Sequence, residues 1–180
     1  MKKVLCFFSI VFCLIGCTQK QKHSFVLSKE ELYLKAKTHL FNSKFFLAAG
    51  DFEKIEEIAP FTVEANKGII MASYSYYKNK DYDESLRLIE YYKKINFDNK
   101  NLEYLYFLEI LNNLGKIDVS SKDISLVVDT IGLVDNFIAR FPGGNYKEYL
   151  LQQKERLVDI YSRRELEIVD FYILNNNLLG

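Results

Sequence analysis

No histidine, cysteine or acidic side chain in this sequence has the spacing that a catalytic or metal site would require. His23 and His39 have no cysteine and no pair of acidic residues at metal-ligand spacing beside them. The carboxylates of Glu30-Glu31 and Glu56-Glu57 are adjacent in sequence, so they point apart on a helix. Gly143-Gly144 follows a proline and is typical of a turn rather than of a phosphate-binding loop. We therefore expect no catalytic residue, no cofactor and no metal site, and we expect that the protein is not an enzyme.

One cysteine stands where a covalent modification is expected. Lys2-Lys3 precede a largely apolar run from Val4 to Leu14, which is too short to span a bilayer and has the length of the apolar part of an export signal. The string Leu14-Ile15-Gly16-Cys17 then resembles the lipobox of bacterial lipoproteins, whose cysteine is lipidated after cleavage. We expect residues 1–16 to be a lipoprotein signal peptide and Cys17 to carry lipid. The alternative is an ordinary secretory signal with an incidental cysteine.

Cleavage at this point would leave 180 − 16 = 164 residues, enough for one domain with its own core. The charge would fall from zero to −2 because Lys2-Lys3 leave, so the chain has no electrostatic footprint for nucleic acid. Residues 17–28 have no period and are interpreted as a lipidated tether, and residues 29–180 as the domain. Thr18 rather than aspartate follows the cysteine, which by resemblance to envelope-sorting rules implies the outer membrane, facing the periplasm.

From Lys29 onward the apolar period is helical almost throughout, with Asn and Asp clustered between the periodic stretches. Ser28 and Glu31 have the spacing of a capping box at the first helix. The pattern predicts helices at about 29–42, 44–58, 63–79, 82–95, 99–114, 124–140 and 145–176.

A tetratricopeptide-like repeat accounts for the spacing of the small residues in these helices. Small residues occur where two helices of one unit would cross, and a large apolar residue follows four positions later. The small positions are Ala36, Ala48, Ser73, Ser85 and Thr130, and the large ones are Phe52, Ile89 and Val134. The third unit has about eight extra residues between its helices, around 115–125. The predicted fold is all-α, a helical-hairpin superhelix of about three units plus a long last helix; the alternative is a generic helical bundle.

Several strings resemble the BamD family of tetratricopeptide lipoproteins in the outer-membrane β-barrel assembly machinery. The most specific are Tyr76–Tyr82, Arg140-Phe141-Pro142 and Glu165–Tyr172, and the resemblance covers roughly residues 14–177. It implies a non-enzymatic scaffold that receives unfolded outer-membrane proteins, aids their insertion and has the β-barrel assembly subunit as a partner. The alternatives are another envelope lipoprotein of this type, such as a pilotin-like secretion or pilus assembly factor, and a cell-wall enzyme built on a helical superhelix.

Two departures from the family pattern stand out. The family usually has an aromatic residue before the first Pro-Phe, where this chain has Ala59. The groove around that turn is thought to take the C-terminal segment of unfolded barrel proteins. The family also continues into two further repeats that dock partners, whereas this sequence ends at Gly180. We expect a shortened form or a piece of a longer chain, without most of that docking surface.

The resemblance places a peptide-binding groove at Phe61, Tyr77, Lys78 and Asp81. The alternative is that the last three only form a helix end and a turn, with the neighbouring Tyr76 in the core.

The last predicted helix carries an apolar stripe, part of which packs back on the third unit, while its end, at Phe171, Tyr172, Leu174, Leu178 and Leu179, would normally be covered by a following helix. The stripe runs through Leu150, Leu157, Ile160, Tyr161, Ile168, Phe171 and Tyr172. We expect residues 29–160 to form the stable core, and residues 168–180 to fray or to be held by a partner.

Overall fold

The computed structural model describes residues 27–95, 100–119 and 124–174, and over these ranges the chain is all-helical without a strand. Cys17, the proposed signal peptide and most of the tether lie outside the described residues. The helices of the described part are α1 (Lys29–Phe41), α2 (Phe45–Ile58), α3 (Val63–Asn79), α4 (Tyr82–Ile95), α5 (Leu102–Val119), α6 (Ile124–Arg140) and α7 (Lys147–Leu174).

Local signals set the helix ends in the first half of the chain. Glu31 donates its backbone N–H to Ser28 Oγ at 3.2 Å, and Ser28 donates its own N–H to Glu31 Oε2 at 2.9 Å, which confirms the capping box. Thr62 caps α3 with its side chain alone, because its Oγ1 accepts from the Ala65 N–H at 3.1 Å. At the other end of α3, Lys80 takes a left-handed conformation that stops the helix.

The fifth helix differs from the prediction. A break was expected at Gly115, but α5 continues through this residue to Val119. The extra residues of the third unit therefore lengthen a helix instead of forming a loop from 115 onward. The ring of Tyr82 occupies the space that a side chain at position 115 would need. This accounts for a glycine inside α5 despite its unfavourable helix propensity.

The helices are stacked as antiparallel hairpins, α1 with α2, α3 with α4, and α5 with α6. The first helices of successive hairpins also contact each other, so α1, α3 and α5 lie side by side in one layer. Aromatic contacts from Phe107 to Tyr146 and Tyr149 bring the start of α7 against α5 in the same layer. This is the tetratricopeptide-like superhelix that the sequence predicted, and this layer of α1, α3, α5 and α7 is called the inner face below.

The repeat positions are confirmed as crossing points. All five small residues and all three large ones are fully buried: Ala36, Ala48, Ser73, Ser85, Thr130, Phe52, Ile89 and Val134. The Ser85 hydroxyl donates to the Ser73 carbonyl oxygen at 2.8 Å, which requires the backbones of α3 and α4 to approach closely. A larger side chain at either position would force the two helices apart.

Two apolar cores run through the stack. The first is built by α1 to α4 and the start of α5, and the second by the rest of α5 with α6 and α7. Tyr106, Leu111 and Phe141 contact both. Tyr76 is in the first core, as expected, and its hydroxyl donates to Glu53 Oε2 at 3.0 Å.

The long last helix extends beyond its neighbour. With 28 residues against 17 in α6, α7 is longer by roughly 16 Å. Leu150 and Leu157 are buried against α5 and α6, whereas every residue from 165 to 174 is exposed. None of the helices in the described ranges is both long enough and apolar enough to cross a bilayer.

Candidate peptide-binding pocket

A cavity of about 290 Å³ opens on the inner face between α3, α5 and α7. We call it the tyrosine pocket. It is lined by three tyrosines, three cationic side chains, two leucines, a glutamine and a glycine: Tyr77, Tyr82, Tyr149, Lys78, Lys80, Arg156, Leu111, Leu114, Gln153 and Gly115.

The end of α3 and the following turn place one wall of this pocket. Tyr77 and Lys78 lie on the last turn of α3, and the left-handed Lys80 redirects the chain. The N–H of Lys80 donates to the Tyr77 carbonyl at 3.0 Å, and the N–H of Asp81 to the Tyr76 carbonyl at 2.9 Å. The turn is thereby fixed, and it brings the Tyr82 ring to 6.2 Å from the Tyr77 ring.

Gly115 forms part of the opposite wall and lies against the ring of Tyr82. A Cβ atom at this position would lie 2.5 Å from Cζ and 2.6 Å from Oη of Tyr82. Real Cβ atoms do not approach other atoms so closely, so any side chain at 115 would displace the Tyr82 ring. The absence of a side chain lets the ring pack directly onto α5.

An aromatic wall continues from the pocket along α5 and the start of α7. Its members are Tyr104, Phe107, Tyr146 and Tyr149. The rings of Phe107 and Tyr146 are stacked with centroids 4.0 Å apart, and Tyr149 meets Phe107 edge-on at 5.8 Å. Tyr104 lies 6.3 Å from Tyr146. Ring contacts of this kind stabilise the wall and fix its shape.

Burial raises the pKa of two phenols of this region, Tyr77 and Tyr104. Desolvation raises the pKa of Tyr77, and the neighbouring Tyr149, Tyr82 and Tyr74 raise it further. Desolvation likewise raises the pKa of Tyr104, with smaller contributions from Tyr74, Tyr146 and Tyr77. At neutral pH these side chains therefore offer apolar ring faces and hydroxyl donors, not negative charge.

The remaining chemistry of the pocket suits binding. Lys78, Lys80 and Arg156 supply positive charge at its rim, and Lys78 Nζ also lies 5.7 Å from the centre of the Phe45 ring. In residues 27–95, 100–119 and 124–174, no group of three His, Cys, Asp or Glu side chains is arranged to hold a metal ion.

The residues predicted from the sequence are not all brought together. Tyr77 and Lys78 line the tyrosine pocket, and Asp81 lies in an adjoining depression with Lys80 and Lys116. Phe61 precedes α3, whereas Tyr77 is near its end, which separates the two by roughly 24 Å along the helix axis. Phe61 therefore lies in neither the tyrosine pocket nor the depression that contains Asp81. A role for any of them in binding peptide stays a prediction.

Sequence reasoning missed most of the pocket, although a signal for Tyr149 and for the aromatic wall was present. Aromatic residues spaced three apart occur as Tyr74/Tyr77 on α3, as Tyr104/Phe107 on α5, and as Tyr146/Tyr149 at the junction of the α6–α7 turn with α7. That spacing places both rings of a pair on one helix face. Gly115 gave no such signal, because its role depends on Tyr82 from another helix.

Sequence comparison with known proteins finds a matching family and several named relatives. A sequence model of the YfiO family, described as outer membrane lipoprotein, matches residues 27–178. The outer membrane protein assembly factor BamD of Neisseria gonorrhoeae is 24% identical over 189 residues, covering 96% of this chain and 71% of that protein. BamD of Haemophilus influenzae is 23% identical over 180 residues, covering 94% and 69%. The family match spans most of the chain and all of the described helices, so the protein belongs to the YfiO family of outer membrane lipoproteins.

Proposed function

We propose that this protein is a non-enzymatic component of outer-membrane protein assembly and that its tyrosine pocket receives a segment of an unfolded outer-membrane protein. The names of the BamD relatives, outer membrane protein assembly factors, support the first part. The second part rests on one observation: aromatic rings and cationic side chains converge in a cavity on the inner face.

The pocket has the chemistry that an extended polypeptide requires. Such a segment presents apolar side chains together with backbone N–H and C=O groups that lose water on binding. Tyrosine rings cover the apolar parts, and hydroxyl, ammonium and guanidinium groups donate to carbonyl and carboxylate oxygens. Since rings are tolerant of the side chain they contact, the pocket would accept many sequences.

The same proposal includes the membrane anchor. Residues 1–16 are removed as a signal peptide, Cys17 is lipidated, and residues 17–28 tether the domain to the outer membrane on its periplasmic side. The lipobox string and the family description, outer membrane lipoprotein, support this arrangement. Because one acyl chain gives only marginal binding, lasting attachment requires several chains on the cysteine.

Site-specific photo-crosslinking tests the pocket. A benzophenone amino acid replaces Tyr77 in one variant and Tyr91 in another, because Tyr91 lies in a depression between α2 and α4 on the opposite layer. After mixing with a urea-unfolded outer-membrane barrel protein, we expect crosslinks from position 77 and few from position 91. Equal yields at both positions would contradict the pocket.

Affinity purification tests the assembly role. The full-length tagged protein is extracted from membranes in mild detergent, and its partners are identified. We expect the β-barrel assembly subunit to co-purify. Recovery of a secretion or pilus component instead would overturn the proposal in favour of a pilotin-like role.

A further inference from the structure

The α2–α3 turn displays an aromatic side chain in a way that the folded chain does not itself require. Phe61 has a φ of 61°, a left-handed conformation that bulky residues rarely adopt, and its side chain is 78% exposed. Glycine or asparagine would fit this backbone better, and the ring makes little use of the core. A strained position that also exposes a large ring indicates a role outside the domain.

The turn is held firmly enough to present that ring. Thr62 Oγ1 donates to the Ala59 carbonyl at 2.8 Å and accepts from the Ala65 N–H at 3.1 Å. On either side of Phe61, Ile58 is 46% and Val63 63% exposed. Three exposed apolar side chains thus lie within six residues on one hydrogen-bonded turn, which we call the tip.

This tip lies at the end of the domain where the tether enters. Lys29, the first residue of α1, pairs with Glu64 in the first turn of α3, with Nζ and Oε2 2.9 Å apart. Leu27 packs on the core next to this point. Cys17 is ten residues earlier, so a lipid on it can be at most roughly 36 Å from Leu27.

We propose that the α2–α3 turn rests on the membrane, with Phe61, Ile58 and Val63 inserted into the lipid interface beside the anchor. This inference rests on the proposed lipidation of Cys17. An anchored domain is held close to the bilayer, so a small apolar tip suffices to orient it. The exposed carboxylate of Glu57 next to Ile58 favours a neutral lipid surface over a strongly anionic one, since the carboxylate of Glu64 is already paired with Lys29.

The chain contains no tryptophan, so one introduced tryptophan reports on its own surroundings. Phe61→Trp is the test variant. Phe41→Trp is the matched control, because Phe41 is 81% exposed but lies at the other end of α1. Val63→Trp is a second test variant on the same turn if Phe61→Trp folds poorly. Each full-length, lipidated protein is reconstituted into phosphatidylcholine vesicles with or without brominated acyl chains.

We expect the tryptophan at 61 to emit at shorter wavelength in vesicles and to lose most of its emission to brominated lipid, while the tryptophan at 41 does neither. Protein that floats with the vesicles but shows no quenching at 61 and 63 would overturn the inference and leave the anchor intact. Protein that does not float with the vesicles would overturn both the inference about the turn and the proposed lipid anchor. A shift at 61 that appears only on adding an unfolded barrel protein would assign the turn to polypeptide binding instead.

Discussion

The carboxylate of Asp51 on α2 and the ring of His39 on α1 are joined by a hydrogen bond of 2.9 Å between Oδ2 and Nδ1. Lys35 Nζ, also on α1, reaches the other oxygen of the same buried carboxylate at 3.0 Å. One side chain of α2 thereby binds two of α1, which fixes the first hairpin.

Replacement of Asp51 by Ala should lower the free energy of unfolding by about 1–3 kcal/mol, because a buried hydrogen bond to a charged group is lost. Urea denaturation monitored by circular dichroism measures this change. Asp159→Ala is the control, since Asp159 pairs with Arg163 on the exposed surface of α7 and such pairs contribute about 0–1 kcal/mol. Equal effects of the two substitutions would contradict the role given to Asp51.

Gly115→Ala should alter the tyrosine pocket with little change in stability. Alanine favours a helix interior by about 1 kcal/mol over glycine, which offsets the cost of moving the Tyr82 ring. We expect weaker crosslinking of an unfolded client at Tyr77. Gly132→Ala, on an exposed part of α6 where a Cβ would meet nothing, should stabilise the protein and leave crosslinking unchanged. Unchanged crosslinking in Gly115→Ala would show that the position of Tyr82 does not matter.

Ser85→Ala should destabilise the protein by about 1–2 kcal/mol. The Ser85 hydroxyl donates to the Ser73 carbonyl and accepts from Asn112 Nδ2 at 2.9 Å, so its loss removes two buried bonds that connect α3, α4 and α5. Ser162→Ala removes an exposed hydroxyl bonded within its own helix and should change the unfolding free energy by less than about 0.5 kcal/mol. A loss in Ser85→Ala no larger than this would exclude the buried network as a source of stability.

Alkaline titration should reveal Tyr76. Burial, with the Glu53 carboxylate, raises the pKa of Tyr76 to about 12 from an ordinary value of 10.0. A phenol with a raised pKa in the folded state contributes stability that is complete below pH 10 and is lost as the pH rises toward 12. The unfolding free energy of Tyr76→Phe should therefore fall less steeply over this window. Parallel curves for the two proteins would show that Tyr76 ionises no later when folded.

Amide hydrogen exchange should be slow in the part of α7 that contains Leu150 and Leu157 and fast in the part after residue 164. Amides near Leu150 and Leu157 are in a helix packed on α5 and α6, whereas the apolar side chains after residue 164 are exposed. In urea denaturation, Leu157→Ala should lower the free energy of unfolding by about 2–5 kcal/mol, and Phe171→Ala should lower it far less. Protection at Phe171 equal to that in α3 would show that the last turns are stable without a covering partner.

The positions of most helices could be predicted from the sequence because the residues that determine them act locally or recur with a helical period. The Ser28 and Thr62 caps, and the small residues at helix crossings, each act within one hairpin. The extension of α5 past Gly115 could not be predicted, since the reason for that glycine is the Tyr82 ring from α4. The pocket shares this dependence: Tyr77 and Lys78 were predicted, but Tyr149 contributes only because α7 returns to the inner face.

The two cores are joined by α5, and this determines how cooperatively the chain unfolds. Tyr106 on α5 touches both cores and has Lys93 of α4 at 3.7 Å and Arg140 of α6 at 5.1 Å from its ring centre. In a stack of hairpins each unit depends on its nearest neighbours, so cooperativity is set by the weakest junction. Here the Tyr106 ring, with a cation from each side, couples the first half to the second together with Leu111 and Phe141. Weaker packing of Tyr106, Leu111 and Phe141 would divide the single unfolding transition into two, with the α1–α4 half melting separately from the α6–α7 half.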